Sequence, residues 1–292
     1  GLDGSTGSGQ FLSAVDYLSS EFLGLIIANY HLVYETTTRM FKGKVVLITG
    51  ASSGIGAATA KHFSTLGASL SLSGRNVENL SKVAEDCIGD VKPLLIIGEI
   101  TKENDVKNII NKTIEHFGKL DVLINNAGVI ETGGIENTNL EQYDRVFNVN
   151  VRSVYYLTML AVPHLEKTKG NIVNISSVTG IRASSGLLSY CMSKAAINQF
   201  TECVALDLAP KQIRVNSICP GVVVTELHKR GGMNEEQYAE FLSRCKTSHA
   251  PGRPGKPEEV ANTIAFVASD HASFITGAII PVDGGRHSMC PR

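Results

Sequence analysis

The 292-residue chain lacks three features that would direct it toward particular classes of protein. Its 27 basic and 28 acidic residues nearly cancel, so no charge excess indicates nucleic acid or an anionic membrane as a partner. The six cysteines are scattered without a Cys-x-x-Cys pair, which argues against a disulfide framework or a zinc site. Unpaired cysteines are typical of a reducing compartment, so we expect the protein in the cytoplasm or an organelle matrix.

A long apolar run is also missing, even from residues 1–39, where the composition differs from the rest. Gly, Ser and Thr dominate the start, and Met40 stands just before the first strand-like run. The apolar stretch 21–35 is too short to span a bilayer, is interrupted by Asn29 and His31, and follows no basic residues. We therefore expect residues 1–39 to be a leader, a cloning remnant or a docked amphipathic helix without stable membrane insertion. Residues 40–292 are predicted to form one domain.

From Lys44 onward, short β-branched runs alternate with segments of helical length. The alternation predicts strands at 44–49, 69–73, 92–97, 121–125, 171–176, 214–219 and 278–282, and helices at 54–66, 76–88, 102–117, 140–168, 189–209 and 257–269. Several strands are apolar throughout, as expected when both faces of a parallel sheet are covered. We predict an α/β fold, a doubly wound, Rossmann-like sheet of about seven strands with helices on both faces. The polar stretch 226–256 is too long for an ordinary connection and is predicted to be a lid.

The first predicted strand leads into the glycine-rich sequence TGASSGIG at 49–56, and a helix follows. Glycines at 50, 54 and 56 permit a tight turn and a close approach of the backbone to a pyrophosphate, whose charge the helix N-terminus would offset. Such a turn would also fit a purely structural connection between a strand and a helix. Its place between a strand and a helix nevertheless predicts a dinucleotide site.

Four motifs follow one another along the chain: TGASSGIG, NNAG at 125–128, Ser177 with Tyr190-x-x-x-Lys194, and Pro220-Gly221. In this order and spacing, the chain from Phe41 to about Gly285 resembles the compact, single-domain branch of the short-chain dehydrogenase/reductase family. The resemblance implies hydride transfer with a nicotinamide cofactor between a ketone or aldehyde and a secondary alcohol. It assigns cofactor contacts to Gly50, Ser52, Ser53, Gly54, Ile55, Gly56, Arg75, Glu99, Ile100, Asn126, Ala127, Gly128, Tyr190, Lys194, Pro220, Gly221, Val223 and Thr225.

Tyr190 and Lys194 lie one helical turn apart, so their side chains share a face. Because a nearby ammonium favours the phenolate, we expect Lys194 to lower the pKa of Tyr190 toward the working pH, where the phenol acts as general acid or base. The resemblance also implies that Lys194 binds the nicotinamide ribose.

The other two candidate catalytic residues are Ser177 and Asn150. The resemblance implies that Ser177 stabilises charge on the substrate oxygen and that Asn150 holds a water linking the lysine to solvent. Ser176 is the alternative to Ser177, since adjacent strand residues face opposite sides. Both serines would also fit plain hydrogen-bond caps. Asn150 would also fit a residue that caps its helix or stabilises a kink in it.

Gly74 and Arg75 follow the second predicted strand. A site for NAD usually offers a carboxylate to the ribose 2′-hydroxyl, whereas NADP requires its absence and a cation. By the resemblance Gly74 stands at the acidic position and Arg75 beside it, so we predict NADP(H), with NAD(H) as the alternative. Arg75 would also fit a surface residue that opens a helix. Glu99 stands where the family usually has Asp at the adenine, which leaves that contact open.

The substrate and the assembly are less defined. The apolar residues of the predicted lid would fit either a cover over a mildly apolar substrate or the core of a helix pair; they are Leu227, Met233, Tyr238, Phe241 and Leu242. The helices at 140–168 and 189–209 carry more apolar positions than one sheet face covers, so we expect a homodimer or homotetramer.

Two other functions fit parts of the pattern. A nucleotide-binding regulatory or structural protein would keep the fold with little turnover, but the intact Ser, Tyr, Lys and Asn set argues against it. An epimerase or dehydratase of the family's longer branch would usually have a larger C-terminal substrate region.

Overall fold

The computed structural model describes residues 40–89 and 91–289. The prediction for residues 1–39 therefore lies outside the described part of the chain. Within that part, no helix combines the length and the apolar character needed to cross a membrane.

Seven strands form one sheet in which every neighbouring pair is parallel. Their order is β3-β2-β1-β4-β5-β6-β7. The order reverses direction between β1 and β4, which opens a crevice at the carboxyl ends of these two strands. The predicted doubly wound fold is confirmed. The strands are β1 (Val45–Thr49), β2 (Ser69–Gly74), β3 (Leu94–Ile97), β4 (Val122–Asn125), β5 (Asn171–Ile175), β6 (Arg214–Pro220) and β7 (Ile279–Val282).

Helices cover both faces of the sheet. On one face, Ile109, Leu157 and Ala205 pack with Leu47 and Ile172 of the strands in one buried cluster. The helix at 257–268 packs against the helix at 54–65. The helices are α1 (Gly54–Thr65), α2 (Val77–Glu85), α3 (Glu103–Phe117), α4 (Leu140–Phe147), α5 (Ser153–Thr168), α6 (Leu188–Leu208), α7 (Leu227–Arg230), α8 (Glu235–Ser243), α9 (Cys245–Ser248) and α10 (Pro257–Ala268).

The predicted continuous helix 140–168 was wrong in one respect. A π-helical turn, Asn148–Arg152, separates α4 from α5. Hydrophobic periodicity cannot reveal such a turn, because the extra residue it inserts shifts the helix face without changing the composition. The turn holds Asn150, whose side chain is almost completely buried.

The predicted lid, 226–256, consists largely of the three short helices α7, α8 and α9. Tyr238 of α8 is buried, its hydroxyl donates to the carbonyl oxygen of Thr225 at 2.9 Å, and the amide of Thr225 donates back at 3.1 Å. Tyr238 is therefore an anchor and not part of an apolar cover. Leu227, Met233 and Phe241 do line the cavity described below.

Candidate active site

A cavity of about 780 Å³ lies at the carboxyl ends of the strands. This volume is within the range of cofactor and ligand sites, and the location is the one expected for a doubly wound sheet. Every predicted site residue lines the cavity except Gly56 and Asn150. The structure thus gathers residues from motifs that are far apart in the sequence.

The glycine-rich turn after β1 forms one wall of the cavity. Gly50 and Gly54 have φ values of +64° and +56°, which side chains rarely adopt. No acidic residue occupies the first turn of α1, and the side chain of Ser53 does not cap it. The amides at this helix end therefore have room for an anion, and a cofactor pyrophosphate fits there.

Gly56 was predicted to contact the cofactor, but it lies beneath the turn. A Cβ at this position would be 2.4 Å from the carbonyl oxygen of Gly50 and 2.5 Å from Nδ2 of Asn126. Glycine is needed here so that α1 can pack closely under the turn.

The NNAG motif joins the ends of β1 and β4. Oγ1 of Thr49 accepts hydrogen bonds from the amides of Asn126 and Ala127, both at 3.1 Å. Nδ2 of Asn126 donates to the carbonyl oxygens of Thr49 and Gly50 at 2.9 and 3.2 Å. Nδ2 of Asn125 donates to Oδ1 of Asn174 on β5 at 2.8 Å. These contacts stiffen the crevice.

Tyr190 and Lys194 lie on α6, one turn apart and both buried. Nζ of Lys194 donates to the carbonyl oxygen of Ile175 at 2.8 Å and lies 5.7 Å from the centroid of the Tyr190 ring. Burial lowers the pKa of Lys194 to about 8. The side chain of Lys194, which lines the cavity, therefore loses its proton more readily than an ordinary lysine.

The expected lowering of the Tyr190 pKa was wrong for this arrangement. Burial raises the pKa of Tyr190 to about 12, and a side-chain hydrogen bond with Ser177 acts in the opposite direction without cancelling it. The ammonium of Lys194 is directed at the carbonyl of Ile175, so its charge does not outweigh the loss of solvation. At neutral pH the phenol is protonated and can donate its proton.

Ser177 and Ser176 end up in different surroundings. Ser177 interacts with Tyr190, and its Oγ accepts hydrogen bonds from the amide and the hydroxyl of Thr179 at 3.1 and 3.0 Å. Oγ of Ser176 donates instead to the carbonyl oxygen of Lys194 at 3.0 Å. The hydroxyl beside the candidate proton donor is therefore that of Ser177.

Asn150 does not line the cavity, because its side chain is directed at the backbone after β4. Oδ1 accepts from the amide of Val129 at 2.9 Å, and Nδ2 donates to the carbonyl of Val129 at 2.9 Å and to Oγ of Ser193 at 3.0 Å. A Cβ on Gly128 would lie 3.4 Å from Oδ1 of Asn150 and 3.5 Å from Nζ of Lys194. The side chain of Asn150 thus fastens the loop at Val129 to Ser193 of α6, the residue that precedes Lys194.

The end of the cavity that is predicted to receive the adenosine, called the adenosine end, contains Arg75 and Glu99. Nη1 of Arg75 lies 3.3 Å from Oε2 of Glu99, and the Arg75 side chain is 65% exposed. Gly74 is buried at the end of β2, and the side chain of Asn76 caps α2. The contact between Arg75 and Glu99 joins residues on two loops and was not evident from the sequence.

Other cavity residues were missed by the sequence reasoning. They include Ile130, Thr179, His228, Arg230, Arg244 and Arg286. His228, Arg230 and Arg244 belong to the predicted lid, where polar residues had no assigned role. Arg286 lies one residue beyond Gly285, where the resemblance ends, so the resemblance did not reveal it.

Together the fold and the cavity define a dinucleotide-binding oxidoreductase. A family model described as enoyl-(acyl carrier protein) reductase matches residues 50–287. The chain is 40% identical over 248 residues to a 3-oxoacyl-[acyl-carrier-protein] reductase of Thermotoga maritima, covering 84% of this chain and 98% of the relative. It is also 40% identical over 245 residues to a meso-2,3-butanediol dehydrogenase of Serratia marcescens, covering 84% and 95%.

A solved structure of a short-chain dehydrogenase/reductase of unknown function from Caenorhabditis elegans, with cofactor, superposes with a TM-score of 0.82. That protein is 34% identical, and the match covers 86% of this chain and 97% of the other. The chain belongs to the short-chain dehydrogenase/reductase family. It is a nicotinamide-dependent oxidoreductase that interconverts a ketone and a secondary alcohol.

Proposed function

We propose that the protein reduces a ketone with NADPH and that Tyr190 is the proton donor. The observation that carries this proposal is the phenol of Tyr190, which lines the cavity beside Ser177 and is held protonated by burial. A general acid has to carry its proton at the working pH. The relatives named above include a ketone reductase and an alcohol dehydrogenase.

The residues that line the cavity would hold the cofactor. The amides at the start of α1 would hold its pyrophosphate, and Pro220, Gly221 and Thr225 would border its nicotinamide. When bound, the nicotinamide supplies hydride to the carbonyl carbon or removes it from the alcohol. All remaining steps belong to side chains of the chain itself.

Tyr190 donates its proton to the substrate oxygen as negative charge develops there. The hydroxyl of Ser177 donates a second hydrogen bond to the same oxygen. Lys194 would hold the nicotinamide ribose through Nζ, and its charge would stabilise the phenolate that remains after proton transfer. The proton of Tyr190 is then restored from solvent through Lys194 and a water next to Asn150. The side chain of Asn150 is 1% exposed.

NADP(H) is the proposed cofactor because Arg75 lines the adenosine end and Gly74 offers no carboxylate there. The guanidinium can bind a 2′-phosphate through two parallel hydrogen bonds. Glu99 competes for the same guanidinium at 3.3 Å. An exposed ion pair contributes up to about 1 kcal/mol, whereas the partly screened, charge-assisted contact of Arg75 with a phosphate contributes about 1–2 kcal/mol, so the phosphate prevails.

We also propose a homodimer or homotetramer in the cytoplasm. Tyr155 and Met159 of α5 and Leu206 of α6 are 60%, 52% and 77% exposed, an apolar surface that a second copy would bury. Sedimentation at micromolar concentration tests the assembly, and a species at only 31.3 kDa would contradict it.

NADPH oxidation with a panel of ketones, aldehydes and one enoyl thioester tests the function. We expect turnover of ketones that Tyr190→Phe abolishes. Cofactor binding without turnover of any compound would favour the regulatory alternative. Turnover of the enoyl thioester alone would move the reaction from a carbonyl to a carbon–carbon double bond.

A further inference from the structure

The cavity extends past Tyr190 and Ser177 into a region that the cofactor motifs do not explain. We call this region the outer chamber; it is lined by Ile130, by residues of the segment 226–248 and by Arg286 from the turn Arg286–Ser288. Apolar side chains form much of its wall, and the imidazole of His228 packs on the ring of Phe241 with centroids 4.5 Å apart. The other apolar members are Ile130, Leu227 and Met233.

The charges of the outer chamber are mostly positive. Arg230, Arg244 and Arg286 line it, and Glu226 is its one carboxylate among the residues that the structure describes. Oε1 of Glu226 lies 3.9 Å from Nζ of Lys229, outside hydrogen-bond distance. The excess of positive charge favours a ligand with a negative group.

Arg286 differs from the other two arginines because it is only partly exposed. None of the ion pairs within residues 40–89 and 91–289 includes Arg286. The nearby carboxylate of Asp283 is buried and accepts hydrogen bonds from the amides of Gly285 and His287 and from Nδ1 of His287. A half-buried guanidinium that has no counter-ion among the described residues is costly, so an anionic ligand would relieve that cost.

The turn that carries Arg286 is held in place. Nη1 of Arg182 donates to the carbonyl oxygens of His287 and Met289 at 2.8 and 2.9 Å, and the amide of His287 donates to Oδ2 of Asp283 at 2.7 Å. Burial first and the charge of Arg286 second lower the pKa of the half-buried His228 and of the buried His249, and Arg286 lines the same cavity. Its position is therefore defined before a ligand arrives.

We propose that Arg286 is a specificity-determining residue that binds the carboxylate of a keto acid. The apolar wall receives the carbon chain, and the ketone reaches Tyr190 and Ser177. A carboxylate matches a single guanidinium fork through two parallel hydrogen bonds. This proposal rests on the proposed function, and it deepens it by naming the class of substrate.

The test compares keto acids of increasing chain length with their methyl esters, which keep the ketone but lack the charge. We expect kcat/KM of the best acid to exceed that of its ester. Arg286→Met should reduce this acid-to-ester ratio by about 10- to 150-fold, the effect of one charge-assisted contact. Lys246→Met is the matched control, since Lys246 is an exposed cation on α9 that does not line the cavity, and it should keep the ratio.

Three results would overturn the proposal. They are a wild-type preference for the esters, an equal loss for acid and ester in Arg286→Met, and a loss confined to cofactor affinity. Arg286→Lys provides a second variant if Arg286→Met does not fold, and we expect it to keep part of the ratio because it retains the charge.

Binding measured by calorimetry separates this proposal from the proposed function. A straight-chain carboxylate should bind the wild type with cofactor present and should bind Arg286→Met more weakly. If no ketone is turned over but the carboxylate still binds in an Arg286-dependent way, the proposed function fails and the carboxylate site stands. Absence of carboxylate binding would overturn the site whatever the activity.

Discussion

Replacing Arg75 with Ala should weaken NADPH binding while leaving NADH nearly unchanged. The side chain is 65% exposed, so the contact with a 2′-phosphate is partly screened and we take about 1–2 kcal/mol for it, or roughly 5- to 30-fold in affinity. Glu99, at 3.3 Å, draws on the same guanidinium. Glu99→Gln should therefore strengthen NADPH binding by up to about 5-fold, the equivalent of the roughly 1 kcal/mol of one exposed ion pair.

Gly74→Asp provides the opposite perturbation. A Cβ at Gly74 would lie 3.4 Å from Cβ and Oγ of Ser52 and 3.6 Å from Cδ1 of Leu80, which are ordinary contact distances. The fold should accept the aspartate. Its carboxylate would repel a 2′-phosphate and accept a hydrogen bond from the 2′-hydroxyl of NADH, so the preference should move toward NADH.

Titration of both cofactors by intrinsic or cofactor fluorescence measures these effects, with Lys82→Ala as the control. Lys82 is an exposed cation on α2 that pairs with Glu78 and does not line the cavity. An equal loss of both cofactors in Arg75→Ala would refute the assignment of Arg75 to the 2′-phosphate. A wild type that prefers NADH would refute the NADP proposal itself.

Three further perturbations have defined outcomes. Tyr190→Phe should lower kcat by at least about 10²-fold with cofactor binding kept, and near wild-type turnover would exclude Tyr190 as the proton donor. Burial lowers the pKa of Lys194 from 10.5 to about 8, so folding releases a proton between these values. The unfolding free energy of the wild type relative to Lys194→Met should therefore rise by about 2–3 kcal/mol from pH 8 to pH 10 in urea titrations, and a flat difference would contradict the shift. Gly56→Ala should destabilise the protein by about 1–3 kcal/mol and weaken cofactor binding, because its Cβ would meet Gly50, whereas Gly89→Ala, with no atom nearer than 3.7 Å, should do neither.

The alternation of strands and helices and the four motifs were readable from the sequence alone. Strand predictions such as 171–176 and 214–219 differ from β5 and β6 by one residue at the carboxyl end. Buried parallel strands are apolar throughout and are separated by helices of ordinary length, so local composition specifies them. The spacing of Tyr190 and Lys194 likewise follows from the period of one helix.

Tertiary structure decided what those residues meet. The pKa of Tyr190 depends on burial by several elements, so a rule based only on its neighbour Lys194 predicted the wrong direction. The pairing of Arg75 with Glu99 joins the loops after β2 and β3. Pairs of this kind have no sequence period, because they form only when the sheet brings distant chain segments together.

The same reason explains why the contacts of Asn150 and Arg286 were not predicted from the sequence. The π-helical turn directs Asn150 toward Val129, and the turn after β7 brings Arg286 to the chamber that also contains His228. Neither contact alters the hydrophobic pattern from which elements are predicted. The sequence by itself determined the sheet, the glycine-rich turn and the order of the catalytic motifs. Long-range packing determined the protonation state of Tyr190 and the positive charge of the outer chamber. Both depend on which distant groups share one buried volume.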